Sequence, residues 1–255
     1  MIIFLHIPKT GGTSFRFILE NTFGLSNCHT NQTKQRVFGQ ADLDFARKVF
    51  PNLRSIAGHN LIDPLQLSVP DPFHMTFLRE PVARVISQYQ DGVLRGHDRR
   101  TFEEVLQERK NLENLQVKLM AGERNLDKAK RYLEKCRFIG LTEKFNLSLH
   151  LLDRLSPHKL NLRYKRKVVA RDNTVKNKIQ ADARLMDMAR EFNQLDLALY
   201  AFAIGEVFPK LCRQAGLNPA DKLASFETYK SVIKPKYLLG RFYNKVFREL
   251  CKRRR

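Results

Sequence analysis

No apolar run in the 255 residues reaches the roughly 18 needed for a transmembrane helix, which argues against one. Nor does the chain begin with a basic region, a longer apolar stretch and a small-residue cleavage site; "IIFLHI" is too short for a secretory signal. The expectation is a chain without a secretory leader, in the cytoplasm. Cysteine is scarce: Cys28, Cys136, Cys212 and Cys251 form no CxxC pair, so metal-ligand spacing and a disulfide framework are both lacking. They read as buried thiols in a reducing compartment. Internal repeats, low-complexity linkers and a recognisable nucleic-acid motif are missing too. Acidic residues are few, 26 against 46 basic ones, for a formal charge of +20. That excess attracts nucleic acid, an acidic membrane, an anionic cofactor or an acidic polysaccharide, and does not choose among them.

What is present suits a soluble domain with a real core, or a domain with an appended helical part: 43% hydrophobic and 28% charged residues. Residues 2–7 read as a short buried strand, and 13–23 as a helix stopped by Gly24. The stretch 25–54 is polar and irregular, with a helix over 42–49. Further strands are expected at the start of 55–63, at 74–78 and at 137–141. Pro81 opens a helix in a first-turn position, and Thr101 with Glu104 forms a capping box for a helix over 102–109. Helices over 111–121 and 125–135 follow, and another after 141. Residues 157–180 read as basic and irregular, 181–208 as strongly helical. The first half thus alternates strand and helix, predicting an α/β domain with a mainly parallel sheet and a helical C-terminal part.

"HIPKTGGTSF" sets a strand end, a glycine loop and a helix start together. Such a junction points several backbone N–H groups at one spot, and these donors with the positive helix end attract phosphate-like anions. Gly11 and Gly12 permit close approach, Thr13 and Ser14 add hydroxyls, and Lys9 adds a cation. The lysine precedes the glycines, so this is P-loop-like but not a Walker A sequence, and a kinase or ATPase reading loses most of its support. The plain alternative is an ordinary strand–turn–helix. In "HMTFLREPVARVISQY", Arg79 ends a strand at the edge where open α/β sheets bind ligands. Ser87 follows two turns into the next helix. An arginine fork and a hydroxyl suit a second phosphate; taken alone, Arg79 reads more readily as a surface salt-bridge partner of Glu80 or a helix-end residue. Both sites together call for a ligand with two separated anionic groups.

"HIPKTGGTS" followed by "FLREPVARVISQY" resembles the PAPS-dependent sulfotransferases, especially the carbohydrate group that includes the heparan sulfate and uronyl 2-O-sulfotransferases. "GHNLID", "NLENLQVKLMAG", "FIGLTEKFNLSLHLL" and "QLDLALYAFAIGEVF" extend the likeness over residues 1–210, leaving 211–255 as a basic helical extension. The resemblance implies a P-loop-like three-layer fold, PAPS as sulfuryl donor, no metal, and a saccharide hydroxyl as acceptor. It implies that Lys9, Thr10, Gly11, Gly12, Thr13 and Ser14 hold the 5′-phosphosulfate, and that Arg79 and Ser87 bind the 3′-phosphate. Lys9 would stabilise the leaving oxygen and His59 would be the base, an imidazole titrating in the useful range. A second histidine common just before that base is Ala57 here. Arg163 and Lys165, in the basic run "NLRYKRKVVARDN", lie where related enzymes close a loop over the nucleotide; a solvated loop is the equal alternative.

Several readings stay open. Asn114 and Gln116 either face the cleft or are polar surface, and His6 and His74 in strands read as structural. Arg95, Arg99 and Arg100 suit a carboxylated or sulfated acceptor, or plain surface. From Lys222 onward eleven basic residues face two acidic ones, interleaved with apolar residues from Tyr237 to Leu250. This basic amphipathic helix either packs on the domain or lies on the inner face of an anionic membrane. The competing functions are a kinase with a variant phosphate loop and a non-enzymatic polyanion binder; with no aromatic stacking platform, nucleic acid is the weaker partner. The short form is more similar to a bacterial cytosolic enzyme than to a Golgi one.

Overall fold

The computed structural model describes residues 1–31, 37–164, 173–228 and 233–253. These residues form one five-stranded, wholly parallel sheet in the order β2-β3-β1-β4-β5. The strands are β1 (Ile2–Leu5), β2 (Asn27–His29), β3 (Ser55–Gly58), β4 (Phe73–Leu78) and β5 (Phe138–Leu141). Four of them are buried along their whole length, as parallel strands covered by helices on both faces must be. Helices α1 (Gly12–Phe23), α2 (Gln40–Val49), α3 (Pro81–Leu94), α4 (Phe102–Glu108), α5 (Leu115–Ala121), α6 (Leu126–Lys135) and α7 (Phe145–Leu155) belong to the first part. The remainder is helical: α8 (Thr174–Ala181), α9 (Ala183–Phe192), α10 (Gln194–Phe202), α11 (Phe208–Gln214) and α12 (Pro235–Arg253). This is the α/β three-layer architecture with a helical C-terminal part.

Register explains where a ligand can sit. Leu5 of β1 lies opposite Gly58 on one side and Thr76 on the other, so β1, β3 and β4 end close together. The chain passes from β3 to β4 across β1, which opens a crevice at these carboxyl ends. Beneath it α1 is keyed to the sheet by aromatic rings. Phe15 meets Phe4 edge-on at 4.8 Å and Phe77 at 5.3 Å, and Phe77 meets Phe138 at 5.5 Å.

Two elements depart from the pattern read along the sequence. The stretch 25–54 contains β2, a three-residue strand too polar to register as one. Its pairing is set from outside: Ser55 donates to the Asn27 amide oxygen (2.6 Å), and Asn244 grips both of its ends. The His29 N–H donates to Asn244 Oδ1 (2.6 Å), and Asn244 Nδ2 donates to the Asn27 carbonyl (2.9 Å). The basic stretch 157–180 holds α8, whose Lys176 N–H donates to Gln90 Oε1. Residues 181–208, read as strongly helical, are so, in pieces: the run is interrupted at Asn193 and passes through a π-helical turn at Ala203–Val207, next to Pro209, which has no N–H to give.

Helix α12 covers the β2 edge and packs on α1 and on the turn at Gly24–Ser26. Tyr237, Phe247 and Cys251 join the main core cluster. The approach is so close that a Cβ on Gly240 would stand 2.4 Å from the Gly24 carbonyl oxygen. All four cysteines are buried.

Candidate functional site

Residues just past the ends of β1, β3 and β4 line one cleft of about 1190 Å³. From the first sequence motif come Lys9, Gly11, Gly12, Thr13 and Ser14; from the second, Arg79 and Ser87; from the loop after β3, His59. The loop that carries Lys9 is held in an uncommon shape. Lys9 itself has φ 70°, a left-handed conformation that costs a non-glycine residue energy, and Gly11 follows at φ 79°. Arg79 holds this shape by donating from Nη1 to the Lys9 carbonyl at 3.0 Å. Gly12 is obligatory for a different reason: a Cβ there would lie 2.0 Å from the His6 imidazole. None of the described side chains caps α1, whose first N–H groups open on the cleft.

Thr10 behaves differently from its neighbours. It is fully buried, and its hydroxyl donates to the Ile7 carbonyl at 2.9 Å, so its side chain shapes the loop from inside and does not line the cleft. Arg163 is exposed and does not line the cleft, whereas the adjacent Tyr164 does. Lys165 lies outside the described residues.

His59 is fixed from three sides. Its N–H donates to Asn31 Oδ1 (2.6 Å), and Asn60 beside it is tied to Thr30. On the ring, Nδ1 lies 2.5 Å from the His6 carbonyl oxygen. A carbonyl can only accept, so Nδ1 carries the proton and the neutral ring keeps its lone pair on Nε2. Burial lowers the His59 pKa below its ordinary value, more than the bond to His6 raises it. His6, expected to be a structural strand residue, follows β1 and lines the cleft with its ring 4.0 Å from that of His59. Burial holds it well below the ordinary histidine range, with His59 and Arg16 adding to the effect.

Lys9 Nζ lies 3.4 Å from Asp91, whose other oxygen accepts from Arg95 Nε at 2.9 Å. Burial pulls the lysine down and Asp91 partly restores it. Asp91 stands one turn after Ser87 on α3, so helical spacing from Ser87 was the available signal for it. Glu80 is not the ion partner of Arg79. Its carboxylate caps α3, accepting from Val82 N–H (3.0 Å) and Ala83 N–H (2.6 Å). The Arg79 guanidinium instead bonds the Lys9 carbonyl and lines the cleft, with Glu143 and Glu80 attracting it from a distance.

Gln116 is neither surface nor cleft lining. It is buried and pairs twice with the Arg79 backbone: Oε1 accepts the Arg79 N–H (3.2 Å) and Nε2 donates to the Arg79 carbonyl (3.0 Å). Asn114 is buried as well, its amide oxygen accepting from Leu195 and Asp196 N–H. Asp196 in turn caps α5 by accepting from Gln116 and Val117 N–H. The amide-rich helix thus sets the position of Arg79 from behind. Of the three arginines 95, 99 and 100, Arg95 lines the cleft, Arg99 is exposed, and Arg100 is tied to Asp98 and Glu108. Among the described residues no group of three or more His, Cys, Asp or Glu is arranged to hold a metal ion.

The glycine loop with Lys9 after β1 is thus flanked in one cleft by the Arg79–Ser87 pair, from β4 and α3, and by the oriented imidazole of His59 after β3. The model of the sulfotransferase family matches residues 1–203. The chain belongs to the sulfotransferase family. A comparison with curated proteins gives no match.

Proposed function

We propose that the protein moves the sulfuryl group of PAPS to a hydroxyl of a saccharide acceptor. The observation that carries this reading is one cleft with two separate donor sets, the glycine loop with Lys9 and the Arg79–Ser87 pair, facing a base with a defined tautomer. The residues fit the donor. Backbone N–H groups, two hydroxyls and an ammonium suit a phosphosulfate at one end, and a guanidinium with a hydroxyl suits the 3′-phosphate at the other. The volume is ample for a nucleotide. When bound, PAPS supplies an activated sulfuryl group whose departure leaves negative charge on a phosphate oxygen.

The chain's own part is placement and charge compensation. Lys9 and the α1 N-terminus hold positive charge where that oxygen becomes anionic. Arg79, fixed by Gln116, ties the second anionic group and the Lys9 loop into one rigid unit. His59 Nε2 accepts the proton of the acceptor hydroxyl, while the His6 carbonyl keeps Nδ1–H in place and stabilises the imidazolium formed. The acceptor being a saccharide rests on the likeness of the two motifs to carbohydrate sulfotransferases.

Calorimetric titration with adenosine 3′,5′-bisphosphate, beside ATP and AMP, tests the donor. Binding of the bisphosphate alone, weakened about tenfold or more in Ser87→Ala and lost in Arg79→Ala, is the expected result. Equal affinity for ATP sinks the proposal.

A further inference from the structure

Helix α12 has three faces. Tyr237, Gly240, Asn244, Phe247 and Cys251 are buried against the domain. On the opposite side Leu238, Leu239, Phe242 and Val246 stand 61, 51, 60 and 37% exposed. Between them runs a stripe of Arg241, Lys245, Arg248 and Lys252, spaced to share one side of a helix with 3.6 residues per turn. Single exposed apolar residues need no explanation. Here, among the nine large exposed hydrophobics of the described residues, four share this ridge and Ile233 lies just before it. A ridge of that kind marks an interaction surface.

We propose that the outer face of α12 docks the protein on an anionic lipid bilayer. Charge selects this occupant. Six basic residues in the helix face Glu249 alone, on a chain of +20. A second copy would bring like charges together, whereas an anionic headgroup layer neutralises the stripe while the ridge enters the acyl boundary. The helix lies along the surface, since no helix of the described residues is long and apolar enough to cross a membrane. Arg241, Phe242, Lys245 and Arg248 also line, with Thr13 and Arg16, a cavity of about 480 Å³ beside the cleft, so the docked face adjoins the catalytic side. The inference is independent of the sulfuryl-transfer reading.

The full chain is sedimented with vesicles of phosphatidylcholine, with and without phosphatidylglycerol. Wild type is expected to partition onto the anionic vesicles about tenfold more strongly, and the exposed double substitution L238Q/F242Q to lose about tenfold or more of that binding. The control I204Q, exposed on another helix, is expected to bind like wild type. Because the chain has no tryptophan, F242W supplies a single reporter whose emission shifts to shorter wavelength when it enters the boundary. Wild type left in the supernatant with both vesicle types overturns the proposal. So does equal partition of L238Q/F242Q, which would mean adsorption by charge alone, or a wild-type dimer that this variant converts to monomer, which would make the ridge a self-interface.

Discussion

A base buried beside a cationic loop has to stay uncharged until the acceptor arrives, and the environment of His59 favours that state. Burial lowers its pKa from 6.5, so the neutral ring persists below pH 6.5. The acid limb of kcat/KM is therefore expected to inflect below pH 6.5, and His59→Ala to lose about a hundredfold or more in kcat with bisphosphate affinity kept. An unchanged kcat in that variant would remove His59 from the mechanism. His74 makes a separate prediction about stability. It is buried in β4 against Tyr132, and burial with Arg137 nearby holds its pKa at about 4. The unfolded chain takes up the proton from pH 6.5 downward and the folded chain only near pH 4, so stability is present above 6.5 and falls across that interval. His74 accounts for about 2–3 kcal/mol of the fall. Urea midpoints of wild type and His74→Phe across this range check it; parallel slopes would refute the assignment. Lys9 and Arg79 were legible in the sequence because they stand at strand ends beside turn residues. Gln116 was not, since its role depends on a partner 37 positions earlier that helix α5 brings behind β4.

Among elements, the loop before α1 and the helix α12 rest on glycine contacts of different kinds. Gly12 gives way to a side chain, the His6 ring, whereas Gly240 meets the Gly24 backbone. Alanine at 240 gains up to about 1 kcal/mol of helix propensity. Against this, a Cβ 2.4 Å from a carbonyl oxygen forces two backbones apart, an overpacking cost of about 1–3 kcal/mol or more. Gly240→Ala is therefore expected to lower the melting temperature, and an unchanged or raised value would show that α12 adapts without strain. The strands β1, β3, β4 and β5 could be read from apolar runs, because strands buried on both faces leave that trace. The edge strand β2 could not. Its sequence, Asn-Cys-His, is polar, and its backbone is held at both ends by Asn244, more than two hundred residues away, a pairing that no local pattern records.

At the scale of the molecule, the basic C-terminal stretch carries two roles that composition alone could not separate. Its charge and exposed ridge face outward, while its other side belongs to the core that supports the site. Removing it should thus affect more than surface charge. Deleting residues from Pro235 onward takes Tyr237, Phe247 and Cys251 out of the main cluster and uncovers the β2 edge. At about 1.5–3 kcal/mol for each large apolar side chain withdrawn, the two aromatics alone amount to about 3–6 kcal/mol. The whole stability of a domain is about 5–15 kcal/mol. The chain ending at Lys234 is therefore expected to melt far below the full protein or to aggregate through its open edge, as thermal denaturation and limited proteolysis would show. A truncated chain that keeps the melting temperature within a few degrees would mean that α12 is an appendage, and that β2 and the His59 loop it borders are held by the sheet alone.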